Sequence, residues 1–86
     1  MTLREKLRKA AFLVELTGLE NGAETLSHIF QNHVSMRAHE RFEAFEALRK
    51  VTGQGESLSQ WLATAPARNV ATMLRLALYE VKEPPQ

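Results

Sequence analysis

Residues 66–82 read PARNVATMLRLALYEVK, and this stretch decides the fold. At ~100° per residue, Ala67, Val70, Ala71, Met73, Leu74, Ala77, Leu78 and Val81 fall on one side of a helix. Arg68, Asn69, Thr72, Arg75, Tyr79, Glu80 and Lys82 take the other. Pro66 suits the first helical turn, where its missing N–H removes no helical hydrogen bond. Pro84 and Pro85 forbid continuation beyond the far end. A helix apolar over half its circumference is not stable alone in water, so earlier segments must cover it.

Those segments are also helical in pattern. Thr2 and Glu5 form a capping box, in which each side chain satisfies a backbone donor of the other residue. The helix it opens runs to about Thr17, where Gly18 supplies a left-handed stop. Leu3, Leu7, Ala10, Ala11 and Val14 share one face of it. Phe12, Leu13 and Leu16 spread around the opposite side, so Ala10 to Leu16 is apolar nearly all round. Such a segment is either central in a bundle or covered by a second copy of the chain.

Asn21 with Glu24 repeats the capping logic and opens a second helix, with Ala23, Leu26, Ile29, Phe30 and Val34 inward. His33 falls in the middle of that apolar arc, which predicts a buried histidine. A third stripe follows from Met36: Ala38, Phe42, Phe45, Leu48 and Val51. Its outer side carries His39, Glu40, Glu43, Glu46 and Lys50, with a favourable Glu46–Lys50 spacing. Neither glycine nor proline separates the second stripe from the third. A single helix of that length is nonetheless unusual in so short a chain, which favours a break near His33 to Ser35, with Ser35 as a cap. Gly53 and Gly55 mark a loop. Ser57 and Gln60 then cap a short helix bearing Leu58, Trp61 and Leu62. No alternating β-branched run occurs. The expectation is an all-α fold, a small bundle of four to five helices spanning residues 1–86 as one domain, with 83–86 a flexible tail.

Composition narrows the function. With 44% hydrophobic and 24% charged residues, the chain has the make-up of a folded protein rather than a disordered one. It has no cysteine, which excludes disulfides, thiolate metal sites and a cysteine nucleophile. No apolar run reaches the ~20 residues that cross a bilayer, and a cytoplasmic location is expected. A net charge of +1 creates no strong general attraction to nucleic acid or acidic lipid.

No catalytic constellation is present. His28, His33 and His39 are five and six residues apart, not the three or four that bring helical ligands together. No serine stands in a nucleophile elbow. Gly53-Gln54-Gly55-Glu56-Ser57 lacks the lysine and spacing of a phosphate loop, and Glu56 would repel a phosphate. Glu40, Glu43 and Glu46 read as a solvated ridge. The expectation is therefore a non-enzyme with no metal and no cofactor.

Three surfaces remain. Arg4, Lys6, Arg8 and Lys9 crowd the opening helix, where basic side chains oppose the macrodipole; they read as a basic patch for phosphates or an acidic partner, or as a solvated face. Phe12, Leu13 and Leu16 are candidates for self-association. Arg68, Thr72, Arg75 and Tyr79 stand in one row on the last helix, with apolar Leu76 beside it, and Arg and Tyr are frequent interface anchors. The sequence thus points to a non-catalytic helical protein–protein interaction module, a small regulator, inhibitor or adaptor of a larger macromolecule, and a possible homodimer. The alternative is a helix-turn-helix-like DNA-binding regulator built on the last two helices, with nucleic acid as partner.

Overall fold

The computed structural model describes residues 2–18 and 22–81. Among them are five α-helices: α1 (Leu3–Thr17), α2 (Gly22–Asn32), α3 (Ala38–Thr52), α4 (Leu58–Thr64) and α5 (Ala67–Ala77), with a 3₁₀ turn at Gly55–Ser57 before α4. The chain is a small all-α bundle, as its apolar periodicity requires. The expected Asn21 cap and the 83–86 tail lie outside the described residues.

The start of α1 follows the sequence closely. The Glu5 amide donates to Thr2 Oγ1 at 3.2 Å, and the Thr2 amide is 3.5 Å from Glu5 Oε1. At the other end Gly18 sits at φ 60°, and its N–H closes on the Val14 carbonyl. Gly53 ends α3 in the same left-handed conformation, which other residues reach only at a cost.

α5 is central. It packs along α1, its most extensive neighbour, and is also covered by α3 and α2. The contact is made by the stripe foreseen from the sequence: Val70, Ala71, Leu74 and Ala77 are fully buried, as are Leu7, Ala10, Ala11 and Val14 of α1. Alanines at 10, 11, 71 and 77, and Ala44 and Ala47 on α3, leave little side chain between the helix backbones. Leu7, Val14, Leu48, Val70 and Leu74 fill the remaining space.

Four expectations need correction. First, α5 is shorter than its apolar pattern. Pro66 is the N-cap rather than the first helical residue, its carbonyl accepting from the Val70 amide at 3.2 Å. Beyond Ala77 the chain tightens, with Tyr79 and Glu80 bonding three residues back. Side chains three apart eclipse in such a turn, which keeps Leu78 and Val81 both buried.

Second, the break between α2 and α3 extends from His33 to Arg37, and Ser35 caps nothing. Val34 and Met36 are both buried while Ser35 between them is exposed. Residues two apart lie ~200° apart on a helix but share a side of an extended strand, so burying both requires leaving the helix. The Asn32 side chain holds the end of α2 by donating to the His28 carbonyl at 3.1 Å. His33 consequently lies past the helix and is exposed, with its ring edge-on to that of His28 at 5.2 Å. It is not a core histidine.

Third, Phe42 is exposed. A stripe built on successive steps of three retreats ~60° per step around the helix. From Val51 and Leu48 it therefore winds back to the opposite side by Phe42. The true inner face of α3 is Ala44, Ala47 and Leu48. Fourth, Ser57 makes no side-chain cap on α4, because the 3₁₀ turn leads directly into that helix.

Leu74→Ala removes a fully buried side chain at the junction of α5 with its neighbours and should lower unfolding free energy by about 2–5 kcal/mol. Urea unfolding followed by circular dichroism measures this, and a loss below ~1 kcal/mol would place Leu74 outside a packed core.

Candidate interaction surface

The basic cluster of the opening helix is divided. At ~100° per residue Arg4 and Arg8 share one side of α1, while Lys6 leaves from the opposite side and Lys9 from between them. Lys6 turns to α3, where Nζ lies 2.8 Å from both carboxylate oxygens of Glu40. Both side chains are largely shielded from water, at 16% and 13% exposure. Arg4 is half-buried and engaged with a partner. Only Arg8 and Lys9 of the four are exposed. Glu40 also accepts from the Arg37 amide at 3.0 Å, one half of a capping box on α3. That backbone bond, then the Lys6 ammonium, holds the Glu40 carboxyl below its ordinary value of 4.5. Lys6, unhelpful to its own helix dipole, thus joins α1 to α3. The acidic ridge is divided too: Glu40 faces Lys6, and Glu46 pairs with Arg49 rather than Lys50.

The α5 candidates lie on that helix and, for Tyr79, in the turn after it. Arg68, Thr72, Arg75, Leu76 and Tyr79 are all exposed. Thr72 donates its hydroxyl back to the Arg68 carbonyl at 3.0 Å. Arg75 reaches across to α1 and pairs with Glu15. Arg8 of α1 lines an open groove of about 420 Å³ with Thr72, Arg75, Leu76, Leu78 and Tyr79 of α5 and the turn after it.

These two contacts join surfaces that are sixty residues apart in sequence. Arg8 and Glu15 both lie beside α5, and at ~100° per residue Phe12 stands ~40° further from the core face than Arg8, and Leu16 ~80° further around than Arg8. Phe12 is 59% exposed, Leu16 69%, Leu76 47% and Tyr79 79%. Phe12 and Leu16 thus stand exposed beyond the polar seam of Arg8, Glu15 and Arg75 that joins α1 to α5. Leu13 is the exception, since it packs against the core from the opposite flank of α1.

A second concavity was not foreseen. α2, α3 and α4 leave a groove of about 320 Å³ floored by Leu26, Phe30, Phe45 and Leu62, with Arg41 and Ser59 at its edge. The sequence put Phe30 and Phe45 on the inner sides of two separate helices with nothing to pair them; their rings meet edge to face at 6.1 Å. Among the described residues Arg41 is the one ionisable residue lining it. Among the described residues no group of three His, Cys, Asp or Glu side chains could hold a metal ion, and no helix is long and apolar enough to cross a membrane.

No protein-family model, curated protein or solved structure matches this chain. Function is therefore argued from the geometry and chemistry of its surfaces alone.

Two outcomes test this description. Glu40→Gln should cost about 1–3 kcal/mol at neutral pH by taking the counter-charge from a shielded ammonium. A carboxyl with a depressed folded pKa stabilises above its unfolded value and ceases to do so as pH falls through the folded one. The variant and wild type should therefore differ above pH 4.5 and converge in more acidic solution; a difference unchanged between pH 7 and pH 3 would contradict the pairing. Phe12→Ser with Leu16→Ser should shift the unfolding midpoint by less than ~1 kcal/mol equivalent, as exposed side chains do.

Proposed function

We propose that this chain is a non-catalytic interaction module that binds another protein chain through the outer sides of α1 and α5, and so acts as a small regulator, inhibitor or adaptor. The observation that carries the reading is the exposure of four large apolar or aromatic side chains on these two helices and the turn after α5, Phe12, Leu16, Leu76 and Tyr79. Exposed apolar side chains gathered together, with polar residues around them, mark docking surfaces, whereas scattered ones carry no meaning. Tyrosine and arginine supply the anchors that dominate interface energies, and Leu76 gives the site an apolar centre. A second copy of the chain is one possible occupant, which would make the protein a homodimer. A cytoplasmic setting belongs to the proposal and fits the lack of cysteine.

The non-catalytic part draws its support from the α2–α3–α4 groove. General acid–base chemistry needs a titratable side chain within reach of a bound substrate. The α2–α3–α4 groove presents an arginine, which stays protonated. The DNA-binding alternative is weakened by the pairing of Arg75 with Glu15, which neutralises one of its two phosphate-seeking arginines.

Capture from a host lysate, with and without nuclease, tests the reading when run beside the Phe12→Asp, Leu76→Asp variant. The account predicts a nuclease-resistant protein partner, or a light-scattering mass of twice the chain, that the variant loses while keeping its helical circular dichroism. Retention of the partner by the variant would contradict it. Capture that disappears on nuclease treatment would favour the nucleic-acid alternative.

A further inference from the structure

The groove between α2, α3 and α4 shares no lining residue with the one beside α1 and α5, and its chemistry differs. α4 packs chiefly on α2 and only lightly on α3, so the corner between α3 and α4 stays open. Phe30 and Phe45 close the floor edge to face, with Leu26 and Leu62 buried beside them. The wall supplied by α2 runs from Ala23 to Gln31, a length of ~12 Å at 1.5 Å per residue. At the rim, Ser27 and Ser59 present exposed hydroxyls. Arg41 stands one turn before Phe45 on the same side of α3; it is exposed and makes no ion pair among the described residues. No described Asp or Glu lines the groove.

We infer that this groove binds a small amphiphilic carboxylate, a molecule with a short apolar body and one anionic end. The volume of about 320 Å³ is that of a small-molecule cleft, at the lower end of the ~300–1,000 Å³ such sites occupy. Water over Phe, Leu and Ala side chains finds no hydrogen-bond partners there, and an apolar body displaces it favourably. The planar guanidinium of Arg41 matches a carboxylate through two parallel N–H···O bonds. That pairing sets the ligand's direction, its anionic end at the start of α3 and its body along Phe45 and Leu62. A cationic ligand would meet Arg41 and no counter-charge. Inorganic phosphate would satisfy Arg41 and leave the apolar floor uncovered. A partner helix, ~10–12 Å across with its side chains, is too thick to enter a space of this size.

The test titrates the full chain with octanoate, octanol and octylammonium, matched in length and different in charge, and follows backbone amides by ¹H–¹⁵N correlation spectra. Octanoate should give saturable shifts centred on residues 23–31, 41–45 and 59–62. It should bind about fivefold or more tightly than octanol, and octylammonium more weakly than either. Hexanoate should bind about tenfold more weakly than octanoate, through the loss of two methylenes from the apolar contact. Arg41→Gln, at an exposed position, should reduce octanoate to the affinity of octanol and leave octanol unchanged, with the helical circular dichroism retained. Equal binding of octanoate and octanol by the wild type would overturn the inference, as would an Arg41→Gln variant that holds octanoate as tightly as the wild type does. So would shifts that fail to saturate or that centre on α1 and α5, and so would no binding of any of the three.

Discussion

The close approach of α1 and α5 is the constraint on which the rest of this structure depends. Alanines at 10, 11, 71 and 77 permit it, and Leu7, Val14, Val70 and Leu74 fill the space it leaves. With no cysteine to cross-link the chain, the burial of these side chains carries most of the work of holding the helices together. α3 adds to the pair through Ala44, Ala47 and Leu48, and the Lys6–Glu40 bridge fixes its rotation relative to α1. α2 and α4 cover the remaining apolar edges.

The same approach creates the candidate site. Once the inner stripes of α1 and α5 face each other, their flanks must lie side by side, whatever those flanks carry. Arg8 and Glu15 then come beside Arg75, Leu76 and Tyr79. Phe12 and Leu16 gain no cover from this, because they stand further around α1 than the flank. A lone helix of this sequence would expose its outer residues harmlessly; two such helices held together bring Arg8 beside Leu76 and Tyr79. The function proposed for the protein is thus a consequence of the core packing, not of a motif.

Most of the fold was legible in the sequence, because its signals are periodic or local. The α1 cap at Thr2 and Glu5, the glycine stops at 18 and 53, and the inner faces of α1 and α5 each depend on neighbours within a turn or two. What was hidden depended on pairs distant in sequence. Lys6 resembled part of a basic patch until α3 brought Glu40 to it. Arg75 resembled a free anchor until Glu15 met it. His33 and Phe42 were misread for a different reason. Each continued an apolar spacing that the chain abandons: His33 because Val34 and Met36 pull the backbone out of the helix, Phe42 because the smaller Ala44 and Ala47 form the real contact. Arg8, Arg75, Leu76 and Tyr79 were each singled out in the sequence, but on separate surfaces, since their meeting depends on tertiary packing.

The most direct measurement of that union is isotope-edited NOESY on the folded chain in solution. The account predicts cross-peaks from the Arg8 side chain to Leu76 and Tyr79, and from Glu15 to Arg75, with no cross-peak from Leu13 to the same α5 residues. If residues 8–16 gave no cross-peak to 75–79, the two helices would not share an outer face, and the joined surface at the centre of this account would not exist.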